Sequence, residues 1–352
     1  MVDRDAVLDA LRTVQDPDLG DDIVSLGLVN DVTVGDAIEV DLALGAPYSP
    51  TETGVAEDVR GALSGFGLSV ELSASVDRGV APEDQILPGV KNVIAVASGK
   101  GGVGKSTVAV NLAAGLADRG ARVGLFDADV YGPNVPRMLD AGEQPKATQD
   151  ETMVPPEQYG MKLMSMDFLL GEDDPVIWRG PMVHKIITQL WEDVEWGALD
   201  YMIVDLPPGT GDTQLTMLQS VPVSGAVIVT TPQEVALDDA RKGLRMFGKH
   251  DTPVLGIVEN MAGFRCPDCG STHDIFGSGG GERFAEENDM PFLGSVPLDP
   301  AVREGGDAGE PVVLDDDSET GESFRGFVRT AANMQGIVHR RREQGAARTP
   351  EQ

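Results

Sequence analysis

Hydrophobic residues keep two rhythms along this chain, and the rhythm changes near residue 90. Before that point the apolar positions are amphipathic. They fall at helical spacing from Asp5 to Val14 and again from Thr51 to Leu63. Alternating positions at 31–34 and 38–44, hinged on Gly35 and Asp36, predict a hairpin, and Leu68 to Val76 predicts a third strand. The order α-β-β-α-β describes a small α+β domain over residues 1–80. Beyond residue 92 come short, mostly apolar runs at 93–97, 122–126, 161–166, 201–205, 226–229, 254–258 and 292–297. Such a run suits a strand covered on both faces, the habit of parallel sheets packed between helices. Helical patterns at 107–119, in the stretch ending at Trp191 and at 323–342 alternate with them. The prediction for 93–342 is an α/β domain with a mostly parallel sheet flanked by helices. Residues 81–92, with Pro82 and Pro88, read as a linker, and 343–352 as a disordered tail.

The loop after the first buried strand carries the most specific chemistry. Gly99, Lys100, Gly101, Gly102, Val103, Gly104, Lys105, Ser106 and Thr107 contain G-x-x-x-x-G-K-S between a strand and a helix, which is a P-loop in its required context. Glycines let the backbone wrap closely around phosphates, so that amide N–H groups and the helix N-terminus face the negative charge. Lys105 can place its ammonium between the β- and γ-phosphates, and the Ser106 hydroxyl can ligate Mg²⁺. The larger domain is therefore expected to be a P-loop NTPase.

Three further stretches place reactive groups at strand ends. The 122–126 strand runs into Asp127 and Asp129, where ligands bind in doubly wound sheets. The 201–205 strand ends in Asp205, the form of a Walker B acid that meets Mg²⁺ directly or through water, and leads into the glycine-containing loop Leu206 to Asp212. Cys266 and Cys269, the only cysteines, form a C-x-x-C shortly after the 254–258 strand. Thiolates suit Zn²⁺ or an iron–sulfur cluster, each usually needing four protein ligands. One chain supplies two; two chains related by a two-fold axis supply four, enough for a bridging [4Fe–4S] cluster. His273 could instead help to complete a zinc site.

The double lysine of the loop, the D-A-D-V-Y-G-P-N stretch from Asp127, W-R-G-P-M from Trp178, D-L-P-P-G-T-G-D from Asp205 and the C-x-x-C together resemble the Mrp/ApbC family, a branch of the MinD/Mrp class of deviant P-loop ATPases. That resemblance implies an ATP-hydrolysing iron–sulfur cluster carrier. It would hold [4Fe–4S] at a homodimer interface and pass it to apo iron–sulfur proteins alongside cluster-assembly factors. It further implies that Lys100 reaches the phosphates held by the partner subunit, and that Asp129 orients or activates the attacking water. Asp127 would support the Mg²⁺ shell, and Asn260 would lie at the nucleotide base. Lys100, Lys105 and Asp129 form the implied catalytic set. No N-K-x-D triplet of the GTPase type follows the later strands, which favours ATP over GTP. The first domain, with Asp16-Pro-Asp-Leu-Gly20 and the run from Ile23 to Val29, resembles the small domain of iron–sulfur assembly factors. Where those factors often carry a cysteine before a proline, this chain has Ser49 before Pro50, which puts a thiol role for the domain in doubt.

Composition narrows the setting. The 352 residues carry a net charge of -31, which disfavours nucleic-acid and anionic-membrane partners. It also matches a cytoplasmic protein of a high-salt organism, where screening relieves self-repulsion. No signal-peptide pattern or membrane-length apolar run is present, so the expected location is cytoplasmic. The final helix, ending in the basic stretch 339–342, is expected to dock on the sheet. Two other functions compete: a MinD- or ParA-like positioning ATPase, and a zinc-stabilised regulatory ATPase without cluster transfer.

Overall fold

A computed structural model describes residues 2–75, 87–130, 132–169, 180–266 and 269–347. The chain divides into two compact units, Met1–Ala81 with Ala332–Gln352, and Pro82–Ala331. The expected linker residues 81–86, Tyr131 and Trp178 lie outside the described residues.

In the first unit, helix α1 (Arg4–Leu11) begins where the Asp3 carboxylate accepts the Ala6 N–H at 2.8 Å. Strands β1 (Val29–Val34), β2 (Ala37–Leu42) and β3 (Ser69–Ala74) form a sheet in that order, β1 antiparallel and β3 parallel to β2. The hairpin turns at Gly35, as its sequence predicts. Helix α2 (Pro50–Leu63) starts at Ser49, whose hydroxyl accepts the Glu52 N–H at 3.3 Å while Pro50 takes the first helical position. The serine standing at the expected cysteine position is fully buried and spent on capping a helix.

Residues 332–347 of the last helix, α10 (Glu319–Ala347), group with this unit, where the sequence alone assigns the helix to the larger domain. Its basic end serves a local purpose. Arg340 is fully buried and pairs with Asp16 at 2.7 Å, Asp18 at 2.7 Å and Glu52 at 2.9 Å. Burial pushes the Glu52 carboxyl up, and the Arg340 charge pulls against that rise. The helix also continues to Ala347, into the segment expected as a tail; residues 348–352 lie outside the described residues.

The second unit is built on a sheet of nine strands among the described residues. Strands β4 (Val90–Ser98), β5 (Val123–Asp127), β9 (Met161–Ser165), β10 (Leu199–Asp205), β11 (Gly225–Thr230), β12 (Val254–Arg265) and β14 (Phe292–Leu298) pair in parallel. The short strands β8 (Glu157–Gln158) and β13 (Thr272–His273) add antiparallel edges, and β6 (Lys146–Ala147) pairs with β7 (Met153–Val154) apart from the sheet. The parallel strands fall on the apolar runs, but β12 continues seven residues past its run, to Arg265, and β4 begins at Val90, inside the expected 81–92 linker. Ile94, Ala95 and Val96 are at most 0 % exposed, as central strands covered on both faces require. Helices α3 (Lys105–Asp118), α4 (Val135–Met138), α5 (Gly180–Glu192), α6 (Asp212–Ser220), α7 (Glu234–Lys249), α8 (Gly280–Glu287) and α9 (Pro300–Ala308) connect the strands.

Candidate nucleotide site and cysteine hairpin

The strand order sets β4, β10 and β5 side by side. Register places Asp205 beside Val96 on one flank and Asp127 on the other, so the P-loop and both acids share the carboxyl edge of the sheet. Gly102 and Gly104 hold φ of +80° and +83°, a region that side chains disfavour. Crowding adds to this: a Cβ on Gly104 would lie 2.1 Å from the Asn260 side-chain nitrogen, and one on Gly99 would lie 2.2 Å from the Asp239 backbone. Helix α3 then begins at Lys105 with its first amides unpaired within the helix, as any helix start does.

Lys105 is 5 % exposed, and its Nζ lies 2.5 Å from Asp205 Oδ1 and 3.4 Å from the Ser106 hydroxyl. Burial pushes the Asp205 carboxyl up, opposed by the Lys105 charge. Asp127 accepts N–H bonds from Val135 at 3.1 Å and Asp129 at 3.2 Å, and the Ser165 hydroxyl donates to it at 3.1 Å. Burial, then repulsion from Asp205, raises its pKa to about 7. Two buried acids thus share one buried lysine, and Asp205 Oδ2 has no hydrogen-bond partner among the described residues. Carboxylate and hydroxyl oxygens with a free acceptor fit Mg²⁺, a hard cation that keeps several waters.

A cleft of about 540 Å³ opens at this edge. Lys100, Gly101, Gly102, Gly104, Lys105, Ser106, Thr107 and Asp129 line it, so the structure brings most of the predicted residues together. Gly99, Val103, Asp127, Asp205 and Asn260 do not line it. Asn260 supports the P-loop instead, donating to the Val103 carbonyl at 2.9 Å and accepting from the Met261 N–H at 2.9 Å. The loop after β10 is tied to the same edge, with Gly209 N–H donating to the Ser98 carbonyl at 2.9 Å. Sequence reasoning misses Arg137 and Arg303, which also line the cleft, and Ser165, which holds Asp127. The available signal for the arginines is basic residues just beyond the ends of β5 and β14 in a strongly acidic chain. The signal for Ser165 is its place at the end of a parallel strand.

The cysteines sit on a small hairpin. Strand β12 pairs with β13 through Phe264 opposite His273 and Arg265 opposite Thr272. The turn is closed by Cys266 N–H to the Ser271 carbonyl and Gly270 N–H to the Cys266 carbonyl, both at 2.9 Å. Both thiols are free; Cys266 is half-buried and Cys269 exposed. Cys269 Sγ lies 2.7 Å from the Ser271 hydroxyl, which lies 3.2 Å from His273 Nε2. Hydrogen bonds from Ser271 first, then from Cys266 and His273, lower the Cys269 pKa to about 7. Among the described residues, no three His, Cys, Asp or Glu side chains gather as a site for a single metal ion.

Comparison with known proteins agrees over both units. A family model described as NUBPL iron-transfer P-loop NTPase matches residues 89–332, and one described as iron–sulfur cluster assembly protein matches 4–74. The iron–sulfur cluster carrier protein of Synechocystis sp. is 50% identical over 325 residues, covering 89% of this chain and 92% of that protein. The carrier of Deinococcus radiodurans is 49% identical over 338 residues, covering 94% and 95%. Among solved structures, the nucleotide-binding protein of Archaeoglobus fulgidus in complex with ADP superposes with a TM-score of 0.60 at 37% identity, covering 70% of this chain and 97% of that one. The septum site-determining protein MinD of Pyrococcus horikoshii, complexed with Mg-ADP, shares the fold with a TM-score of 0.52 at 22% identity, covering 70% and 98%.

Proposed function

The chain belongs to the NUBPL-type iron-transfer P-loop NTPases, the iron–sulfur cluster carriers, and from that premise we propose that it binds ATP with Mg²⁺, hydrolyses it slowly and carries a [4Fe–4S] cluster between two copies of itself. The cluster is cargo, delivered to apo iron–sulfur proteins. The observation that carries this reading is the pair of free thiols, one of them exposed, on the turn that follows the strand supporting the P-loop. Two cysteines per chain are half the usual ligand set of a [4Fe–4S] cluster, and a second copy completes it.

At the nucleotide site, the P-loop amides and Lys105 hold the phosphates, and Lys100 reaches those held by the partner copy. Mg²⁺, when bound, draws charge from the phosphate oxygens; Ser106 and Asp205 hold it, directly or through water, and Asp127 supports that shell. Asp129 lines the cleft and orients the attacking water. Asn260 fixes the loop from behind through the Val103 carbonyl. No helix among the described residues is long and apolar enough to cross a membrane.

Anaerobic reconstitution with iron and sulfide tests the reading, with iron, sulfide and zinc counted per chain and mass measured by light scattering. The expected result is one cluster per two chains. Stoichiometric zinc without sulfide in protein isolated anaerobically, together with failure to take up a cluster, would overturn it.

A further inference from the structure

Strand β12 makes two unrelated connections through neighbouring side chains. Successive residues of a strand point to opposite faces. Asn260 uses its side to hold the Val103 carbonyl of the P-loop at 2.9 Å, packed so closely that Gly104 has no room for a side chain. Glu259 uses the other. It is 1 % exposed, and its two carboxylate oxygens accept separate backbone N–H groups, Gly279 at 2.9 Å and Gly281 at the start of α8. The chain between these contacts, from Met261 to Ser278, is the excursion that carries Cys266 and Cys269. Glu259 therefore clasps its outgoing and returning ends together, one residue from the contact with the P-loop.

Nothing in a sheet requires this arrangement. A buried carboxylate is costly unless hydrogen-bonded, and among the described residues Glu259 meets that demand through the glycines that return from the cysteine hairpin. Both glycines suit the contact: a Cβ on Gly281 would lie 2.9 Å from the Glu259 Cβ, and Gly279 holds φ of +71°, which side chains disfavour. Register holds the pair in the sheet interior, Glu259 between Thr230 and Ser295, and Asn260 beside Val296. A displacement of the P-loop that moves Asn260 must move the next residue, and with it both ends of the hairpin.

We propose that Glu259 is a positioning residue that couples the occupancy of the P-loop to the geometry of the cysteine hairpin, through its adjacency to Asn260 and its two-pronged grip on Gly279 and Gly281. The nucleotide orders the P-loop, Asn260 transmits that order to β12, and Glu259 fixes the hairpin at its base. Cys266 and Cys269 are thereby held more rigidly when the nucleotide is bound. This builds on the carrier reading only in taking those two cysteines as the working thiols.

The test uses the full-length protein, reduced and free of cluster, so that it succeeds or fails independently of cluster binding. The rates at which a maleimide modifies Cys266 and Cys269 are read by mass spectrometry with and without Mg·ADP. In the wild type, Mg·ADP slows modification about fivefold, within the ordinary range of coupling between sites. Glu259→Gln keeps the size of the side chain but offers only one acceptor oxygen to two amides. Its Kd for Mg·ADP stays within about twofold of wild type, as for separate sites, while the nucleotide effect on the thiols disappears. A merely structural role for Glu259 would raise the modification rate but leave its nucleotide dependence intact, and that result overturns the proposal. Should the variant fail to fold, hydrogen exchange of the wild type decides: Mg·ADP protects the peptide spanning 262–281 if the coupling exists. Unchanged exchange there, or wild-type thiols indifferent to Mg·ADP, also overturns it.

Discussion

At the P-loop, the reactive groups are buried and already paired. Lys105 is 5 % exposed and bonded to Asp205, Asp127 has three donors, and the glycines are fixed by crowding as well as by φ. At the cysteine hairpin the reverse holds. Cys269 is exposed, its sulfur bonds the Ser271 hydroxyl, and its own chain offers a single cysteine partner. The first site is preorganised by its own loop and strands, so its ligand meets donors that need little rearrangement. The second is unfinished, which suits a cargo that must leave again. A carrier needs both kinds of site: one that recognises its ligand reliably, and one whose hold is weak enough to give way.

The largest break in this comparison comes from Lys105→Ala. It removes the main cation of the phosphate cradle and leaves Asp205 buried without its partner. Nucleotide affinity is expected to fall about 100-fold or more by calorimetry, about 3 kcal/mol. Folding stability falls too, by about 3 kcal/mol, in line with other broken buried pairs. Wild-type affinity in this variant would refute the P-loop assignment. Next comes Cys266→Ala, which should abolish cluster uptake, because the two thiolates left between two chains cannot stand for four. Its Kd for Mg·ATP should stay within about twofold of wild type, since the hairpin lies away from the phosphates. A cluster retained at wild-type stoichiometry would place the ligands elsewhere.

The unequal build of the two sites also explains what the sequence could show. The P-loop is legible because every position answers to a backbone demand, and adjacency in sequence is adjacency in space. Asp127 and Asp205 are legible as strand ends, since parallel strands deliver their carboxyl ends to one edge. Arg137, Arg303 and Ser165 escape because they reach the site from separate connections, and nothing local marks their convergence. The same limit hides Arg340. Its run of arginines reads as a helix end, while its partners Asp16, Asp18 and Glu52 lie some three hundred positions away. Glu259 is hidden in a different way: as an acid within a strand it carries no signal until the return of the chain at Gly279 is known.

A smaller effect sharpens the contrast at the nucleotide site. Asp127 has a folded pKa of about 7 against an ordinary 3.8, so between those values the folded protein holds a proton that the unfolded chain releases. Its contribution to stability is therefore fully present at low pH and is lost as pH rises towards 7. Without nucleotide, the melting temperature should decline over that interval, and Asp127→Asn should flatten the decline. Mg·ADP must find this group ionised, so its affinity should rise over the same interval in the wild type alone. Calorimetry in buffers of different ionisation enthalpy should then record proton release on binding. A wild type whose pH profile matches that of Asp127→Asn would show that Asp127 is already charged when the site is empty.

The smallest effect tests whether the hairpin is as loosely built as it looks. The Cys269 pKa stands near 7, lowered first by the Ser271 hydroxyl and only lastly by His273. These are a few exposed hydrogen bonds rather than a buried charge, so removing one should move the thiol without disturbing the fold. Alkylation of Cys269 should show a midpoint near 7 in the wild type, because the thiolate is the reactive form. In Ser271→Ala the midpoint should climb towards the ordinary thiol value, and in His273→Ala it should climb less, with melting temperatures unchanged in both. Ser271→Ala should also bind Mg·ADP normally. If its midpoint stays near 7, some other group charges the sulfur, and the picture of a thiol tuned only by its own hairpin fails. If His273→Ala has the larger effect, the imidazole is the dominant partner, and a zinc site completed by that residue gains weight over a cluster shared between two chains.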